Sequence, residues 1–152
     1  MRSKLALELN SMTINRTAIC LAICLSFPLA AVALDQSGAV KVTQLLKTTN
    51  SWDDEPIVYP DGKAEITGLL VEIAPGAQTG WHMHPIPSFG MVLEGALDVT
   101  LKDGRVKHLQ AGDALAEVVN TSHNGHNVGN IPVKLVVFYA GTVGQNLTTK
   151  EP

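Results

Sequence analysis

The stretch Gly76–Gly95, GAQTGWHMHPIPSFGMVLEG, places two of the chain's five histidines one residue apart, at His82 and His84. On a β-strand, residues i and i+2 point to one face, so the two imidazoles are neighbours and Met83 turns the other way. Neutral imidazole is the commonest protein ligand for transition metals, and two nitrogens on one face begin such a site. A third must come from elsewhere in the chain, and His108, His123 and His126 are the candidates. Without a metal, the same pair reads as a polar couple on a solvated strand face.

The flanking sequence is strand-like throughout. Ala64 to Gly76 (AEITGLLVEIAPG) reads as a strand stopped by the turn dipeptide Pro75-Gly76. SFGMVLEG and ALDVTL form two strands parted by Gly95, and Asp103-Gly104 signals a hairpin into VKHLQ. After the turn AGD (111–113) come a short strand, ALAEVV, and the turn-rich stretch NTSHNGHNVGNIP. A near-continuous apolar strand, VKLVVFYAG (133–141), follows. Upstream, Val40 to Leu46 (VKVTQLL) alternates and is expected as a strand, with the polar, proline-punctuated residues 48–63 as a loop. The end, TVGQNLTTKEP (142–152), is expected to fray. No segment keeps a helical period over ten residues. Short strands with turn signals every 8 to 12 residues predict an all-β sandwich or small barrel.

A second pattern, G-D-x4-V-x-N-x2-H-x3-N, runs from Gly112 to Asn127 and contains His123. The first segment reads P-G-x5-H-x-H-x10-G. Together, in this order and spacing, the two resemble the motifs of the cupin superfamily, G-x5-H-x-H-x3-4-E-x6-G and G-x5-P-x-G-x2-H-x3-N. The matching residues are Gly76, His82, His84 and Gly95, then Gly112, His123 and Asn127, with a hairpin between. The resemblance covers residues 64 to about 140 and implies a double-stranded β-helix, a jelly-roll barrel. It also implies that His82, His84 and His123 bind one divalent transition metal inside the barrel. Iron or manganese come first; nickel, copper and zinc are the others. His126 falls in the x3 part of the motif and reads as a rim residue, and His108 as exposed. Read from the turn alone, His123 caps the bend before Asn127.

Three positions depart from the family pattern. The motif-one glutamate falls on Ser88 counted back from Gly95, or on Phe89 counted forward from His84, and neither is a carboxylate. Val118 and Asn120 replace the motif-two proline and glycine; Asn tolerates the left-handed backbone a glycine would supply. The site is then three histidines alone, or is completed by water or by another strand. Glu117 is the candidate for that strand, because Leu115 and Glu117 share a face by parity. It is expected as a metal ligand or catalytic base, the alternative being an exposed or salt-bridged side chain. Trp81, Met83, Phe89 and Met91 read as core or barrel-wall residues. Asn120-Thr121-Ser122 and Asn146-Leu147-Thr148 match the glycosylation sequon, which acts only on a eukaryotic secretory route.

Ahead of this domain, residues 12–33 carry Arg16, an apolar run from Ala18 to Ala30 and the small-residue site Ala31-Val32-Ala33. Those are the three parts of a secretory signal peptide, here residues 1–33, starting at Met1 or Met12. The other reading is an uncleaved anchor, for which the run is short of the roughly 20 residues a span needs. The organisation read is 1–33 signal peptide, 34–63 N-terminal strand and loop, 64–141 barrel and 142–152 tail, placing the protein in the periplasm or outside the cell. Residues 1–33 contain Arg2, Lys4, Arg16 and Glu8, a net of +2, so cleavage takes the charge from −3 to −5. Cys20 and Cys24 lie in the same segment, leaving no thiol for a disulfide or a nucleophile. With a pI near 5.9 and no basic run, nucleic acid is not an expected partner, nor is the membrane after cleavage.

The resemblance implies a metal-dependent enzyme of small-molecule chemistry, dioxygenase-like, with quercetin dioxygenase relatives the nearest group. A non-catalytic module binding a metal or small ligand is the alternative, and a structural oligomer a third. The family's habit of strand exchange implies a homodimer, using the segment Val40 to Leu46.

Overall fold

The computed structural model describes residues 38–151, so the signal segment read at 1–33 lies outside them. Nine strands follow: β1 (Ala64–Ile73), β2 (His82–Met83), β3 (Ser88–Glu94), β4 (Ala96–Leu101), β5 (Val106–Gln110), β6 (Ala114–Ala116), β7 (His123–Asn127), β8 (Val133–Thr142) and β9 (Thr149–Lys150). Among the described residues there is no helix. Four strands form one antiparallel sheet in the order β1-β8-β3-β6, and five form a second in the order β5-β4-β7-β2-β9. This is the all-β double-stranded β-helix expected from the motifs.

The period-2 pattern sets which side chains are inside. In β8, Val133, Leu135, Val137 and Tyr139 are buried and alternate with more exposed neighbours; Leu97, Val99 and Leu101 do the same in β4. The two inner faces meet in one apolar cluster that also takes in Ile86 and Val92. Each such aliphatic side chain withdrawn from water contributes about 2 kcal/mol, which makes this cluster the main support of a domain without disulfides. Phe89 and Met91 have the opposite parity to Ser88 and Gly90 and lie on the outer side of their sheet.

The motif residues are the corners of this frame. Gly95 links β3 to β4 at φ +85°, and a Cβ there would stand 2.9 Å from the Pro132 carbonyl oxygen, so only glycine fits. Asn120 adopts φ +54°, the left-handed backbone anticipated where the family has glycine. Asn127 is fully buried: its Nδ2 donates to the carbonyls of Ile73 and Ile131, both at 2.8 Å, and its Oδ1 accepts from Gly129 N–H. It ties β7 to the end of β1.

Three sequence expectations need correction. Val40 to Leu46 forms no strand: it enters no ladder, and Val40, Val42, Leu45 and Leu46 are exposed. The pattern suits a strand, but no sheet edge among the described residues pairs with it. His123–Asn127, inside the stretch read as turn-rich, is β7, paired with both β2 and β4. Its Asn and Gly residues are buried in the sheet, and tertiary pairing overrides their turn preference. The C-terminal residues do not fray, because Gln145 Oε1 accepts from Thr142 N–H and Oγ1 to close a turn. Leu147 then packs on the core and β9 pairs with β2.

Candidate metal centre

β2 and β7 lie side by side with His82 opposite His123, and parity puts His84 on the same face as His82. The three ring centroids are 4.3–5.0 Å apart. In each ring Nδ1 meets a backbone carbonyl: Gly80 for His82 at 2.8 Å, Leu147 for His84 at 2.9 Å and Thr121 for His123 at 2.9 Å. A carbonyl only accepts, so each Nδ1 carries the proton and each Nε2 presents a lone pair. One ligand nitrogen from each ring lies within 4.8 Å of the others. Three acceptors aimed at one another have no mutual hydrogen bond to make, and a cation is what they fit. The carbonyls behind them are the outer contacts that fix a metal-binding histidine's tautomer and orientation.

Burial favours the neutral form of His82 and His84. It pushes the His84 imidazole down to about 4, against the Leu147 carbonyl, which raises it, and with help from the neighbouring His123 and His82. It lowers His82 as well. Neutral rings are the form that binds metal.

Glu117 enters the same space from the end of β6. Its backbone N–H donates to the Ser88 carbonyl at 2.9 Å, which aligns it beside the position where the family pattern has its glutamate. Its Oε2 lies 4.0 Å from His123 Nε2, and its side chain is 13% exposed. Oε1 accepts from Trp52 Nε1–H at 2.7 Å and from Val118 N–H at 2.9 Å. Trp52 is delivered by the loop before β1, a tight turn that docks on β6 through Trp52 N–H to Ala116 O. Nothing in the sequence around Trp52 marks it as part of a site; only the docking of that loop reveals it.

His126 stays outside the cluster, in register with Asp98 on the opposite face of β7. His108 is exposed and its Nδ1 lies 2.7 Å from Asp98 Oδ1. The triad instead opens on a cavity of about 90 Å³. Its walls are aliphatic, among them Val71, Ile73, Leu97, Leu115, Leu135 and Val137, and its polar side chains include Ser88, Glu117 and Tyr139. The lining, mostly apolar with a few polar groups, is of the kind that takes a small molecule.

With this geometry goes a family match: residues 69–139 match the cupin domain family. Oxalate decarboxylase from Lactobacillus farciminis, in a formate complex, is 22% identical over 56% of this chain and 26% of its own, with a TM-score of 0.50. A protein from Bacillus halodurans is 28% identical over 57% and 70%, at a TM-score of 0.48. An oxalate oxidase bound to the substrate analogue glycolate is 26% identical over 49% and 41%, at 0.44. The chain spans between about a quarter and two fifths of the length of these two oxalate enzymes. Among curated proteins none matches the sequence.

Proposed function

We propose that the protein is an exported cupin. It holds one divalent transition metal, iron or manganese foremost, on His82, His84 and His123, and oxidises a small organic molecule in a dioxygenase-like reaction. The observation that carries this reading is the set of three Nδ1–carbonyl bonds, which leaves Nε2 as the free acceptor of each ring, in a cluster whose ligand nitrogens lie within 4.8 Å of one another beside a cavity. A metal of this class supplies Lewis-acid and electron-transfer chemistry. The chain's part is to hold it on neutral ligands and to shed water from the aliphatic walls. Glu117, clamped by Trp52 beside His123, stands as proton acceptor or further ligand.

Export is supported by the Ala31-Val32-Ala33 site after an apolar run. A homodimer is supported by the outer face of the four-stranded sheet, where Ile66, Leu70 and Phe138 are exposed together, and by the unpaired segment Val40 to Leu46. The rival reading, a non-catalytic binding module, is favoured by Ser88 standing where the family pattern has a carboxylate.

Elemental analysis of the untagged purified protein tests the proposal. Stoichiometric iron, manganese, copper or nickel agrees with redox chemistry; zinc or no metal sinks it. Unchanged metal content in His82→Ala and His123→Ala sinks the site. Oxygen uptake with a panel of diketones, flavonols and thiols then separates enzyme from binding module.

A further inference from the structure

The cavity contains a buried polar atom that the protein leaves unsatisfied. Ser88 is 1% exposed, and its Oγ has no hydrogen-bond partner among the described residues. Buried hydroxyls are almost always paired, and an unpaired one at a cavity wall calls for something in the cavity. The next strand carries a second free group. Glu117 Oε1 is occupied by Trp52 and Val118, and among the described residues no hydrogen bond reaches Oε2. The backbone bond from Glu117 N–H to Ser88 O sets the two side chains next to each other on adjoining strands. Tyr139 lies opposite Ser88 on β8, its ring against that of His84. One side of the cavity therefore offers a carboxylate oxygen and an unpaired hydroxyl, and much of the remaining wall is aliphatic.

The same lining bears on charge. Among the described residues around the cavity there is no lysine or arginine. The three imidazoles have given their N–H groups to carbonyls. A dianion such as oxalate would set one carboxylate near the histidines and leave the other among Leu, Val and Ile side chains or against Glu117, with no cationic side chain in the lining to offset its desolvation.

We propose that the cavity takes a small uncharged molecule with a hydroxyl group on a short aliphatic body, the hydroxyl directed at Ser88 Oγ and Glu117 Oε2. The assignment rests on reading the triad and its cavity as the functional site, but the recognition itself comes from β3 and β6 and does not require the metal.

The test uses four probes: 1-pentanol, its methyl ether, pentanoate and oxalate. Each is titrated into chelator-treated and metal-loaded protein and followed by heteronuclear NMR, with metal content measured on the same samples. Pentanol is expected to shift the resonances of residues 88 and 117 in both forms and to bind at least about tenfold tighter than the ether, which cannot donate. Glu117→Gln and Ser88→Ala should each narrow that ratio. Ser88→Ala removes only an unpaired hydroxyl, so it is expected to fold at least as well as the parent. The proposal fails if pentanol does not bind, if the ether binds equally, if either anion binds more tightly than pentanol, or if the ratio survives both substitutions. A protein that binds no metal but keeps the alcohol preference refutes the metal reading alone. One that binds metal without the preference refutes this inference alone.

Discussion

The indole N–H of Trp52 donates to Glu117 Oε1 at 2.7 Å, joining residues 65 positions apart in the chain. With Val118 N–H on the same oxygen, the carboxylate cannot rotate, and Oε2 is held 4.0 Å from His123 Nε2. A loop outside the barrel motifs thus sets a group inside the barrel. Trp52→Phe keeps most of the packing and removes the donor; stability should fall by about 1–2 kcal/mol. If the bond is the cause, Trp52→Phe and Glu117→Leu will be non-additive, with a coupling of similar size, in urea unfolding of the two single variants, the double variant and the parent. Additive losses would show that Trp52 acts through packing alone.

Acid should weaken the metal-free protein through His84. The folded protein keeps this ring neutral down to about 4, whereas the unfolded chain takes up the proton at its ordinary 6.5. The group therefore costs nothing above pH 6.5, and stability is lost as pH falls from 6.5 toward 4. The loss attributable to His84 is on the order of 3 kcal/mol. Urea midpoints across that range should decline in the chelated parent and decline less in His84→Gln. Metal loading should flatten the curve, since a metal-bound nitrogen resists the proton.

The last residues belong to the site. Leu147 O accepts from His84 Nδ1, Thr148 Oγ1 lies 3.2 Å from the same nitrogen, and β9 pairs with β2 next to His82. Deleting residues 146–152 should lower metal affinity by roughly 10–100-fold, the usual effect of removing a contact that orients a histidine ligand. Competition with a chromophoric chelator measures it. Thr148→Val, which leaves the Leu147 carbonyl in place, should bind metal nearly as well as the parent. Equal affinity in the truncated protein would mean that the tail only covers the barrel.

How much of this was legible beforehand follows from how local each signal is. His82 and His84 declare a shared face through strand parity. His123, Gly95, Asn120 and Asn127 sit at the spacings that the corners and pairings of the fold require. Parity also put Glu117 on the cavity side, given Leu115 inside. What the sequence hid are partnerships between distant residues. Trp52 reaches Glu117 only because its loop docks on β6, and Leu147 reaches His84 only because β9 closes on β2. The turn-rich composition of residues 123–127 misleads for the same reason, since their strand exists through its neighbours and not through its own propensity. Val40 to Leu46 errs in the opposite direction: its pattern suits a strand, and the described residues supply it no partner strand.

Segment 40–46, outside every ladder of the described residues, and the outer sheet face are where the proposed dimer would form. Ile66, Leu70 and Phe138 lie on the outer side of β1 and β8, with Phe138 opposite Phe89 of β3 and packed over Gly68. An apolar face crossing several strands is uncommon on a monomer and typical of an interface. Two copies related by a two-fold axis would bury the same residues on both sides. Phe138→Glu places a charge at the centre of that face, where burial without a partner is costly. Light scattering should give twice the chain mass for the parent and the single chain mass for the variant. Because Phe138 points away from the cavity, the variant should retain the parent's metal content. A parent that remains monomeric at high concentration would remove the basis for a dimer, and a Phe138→Glu protein that stays dimeric would move the interface elsewhere.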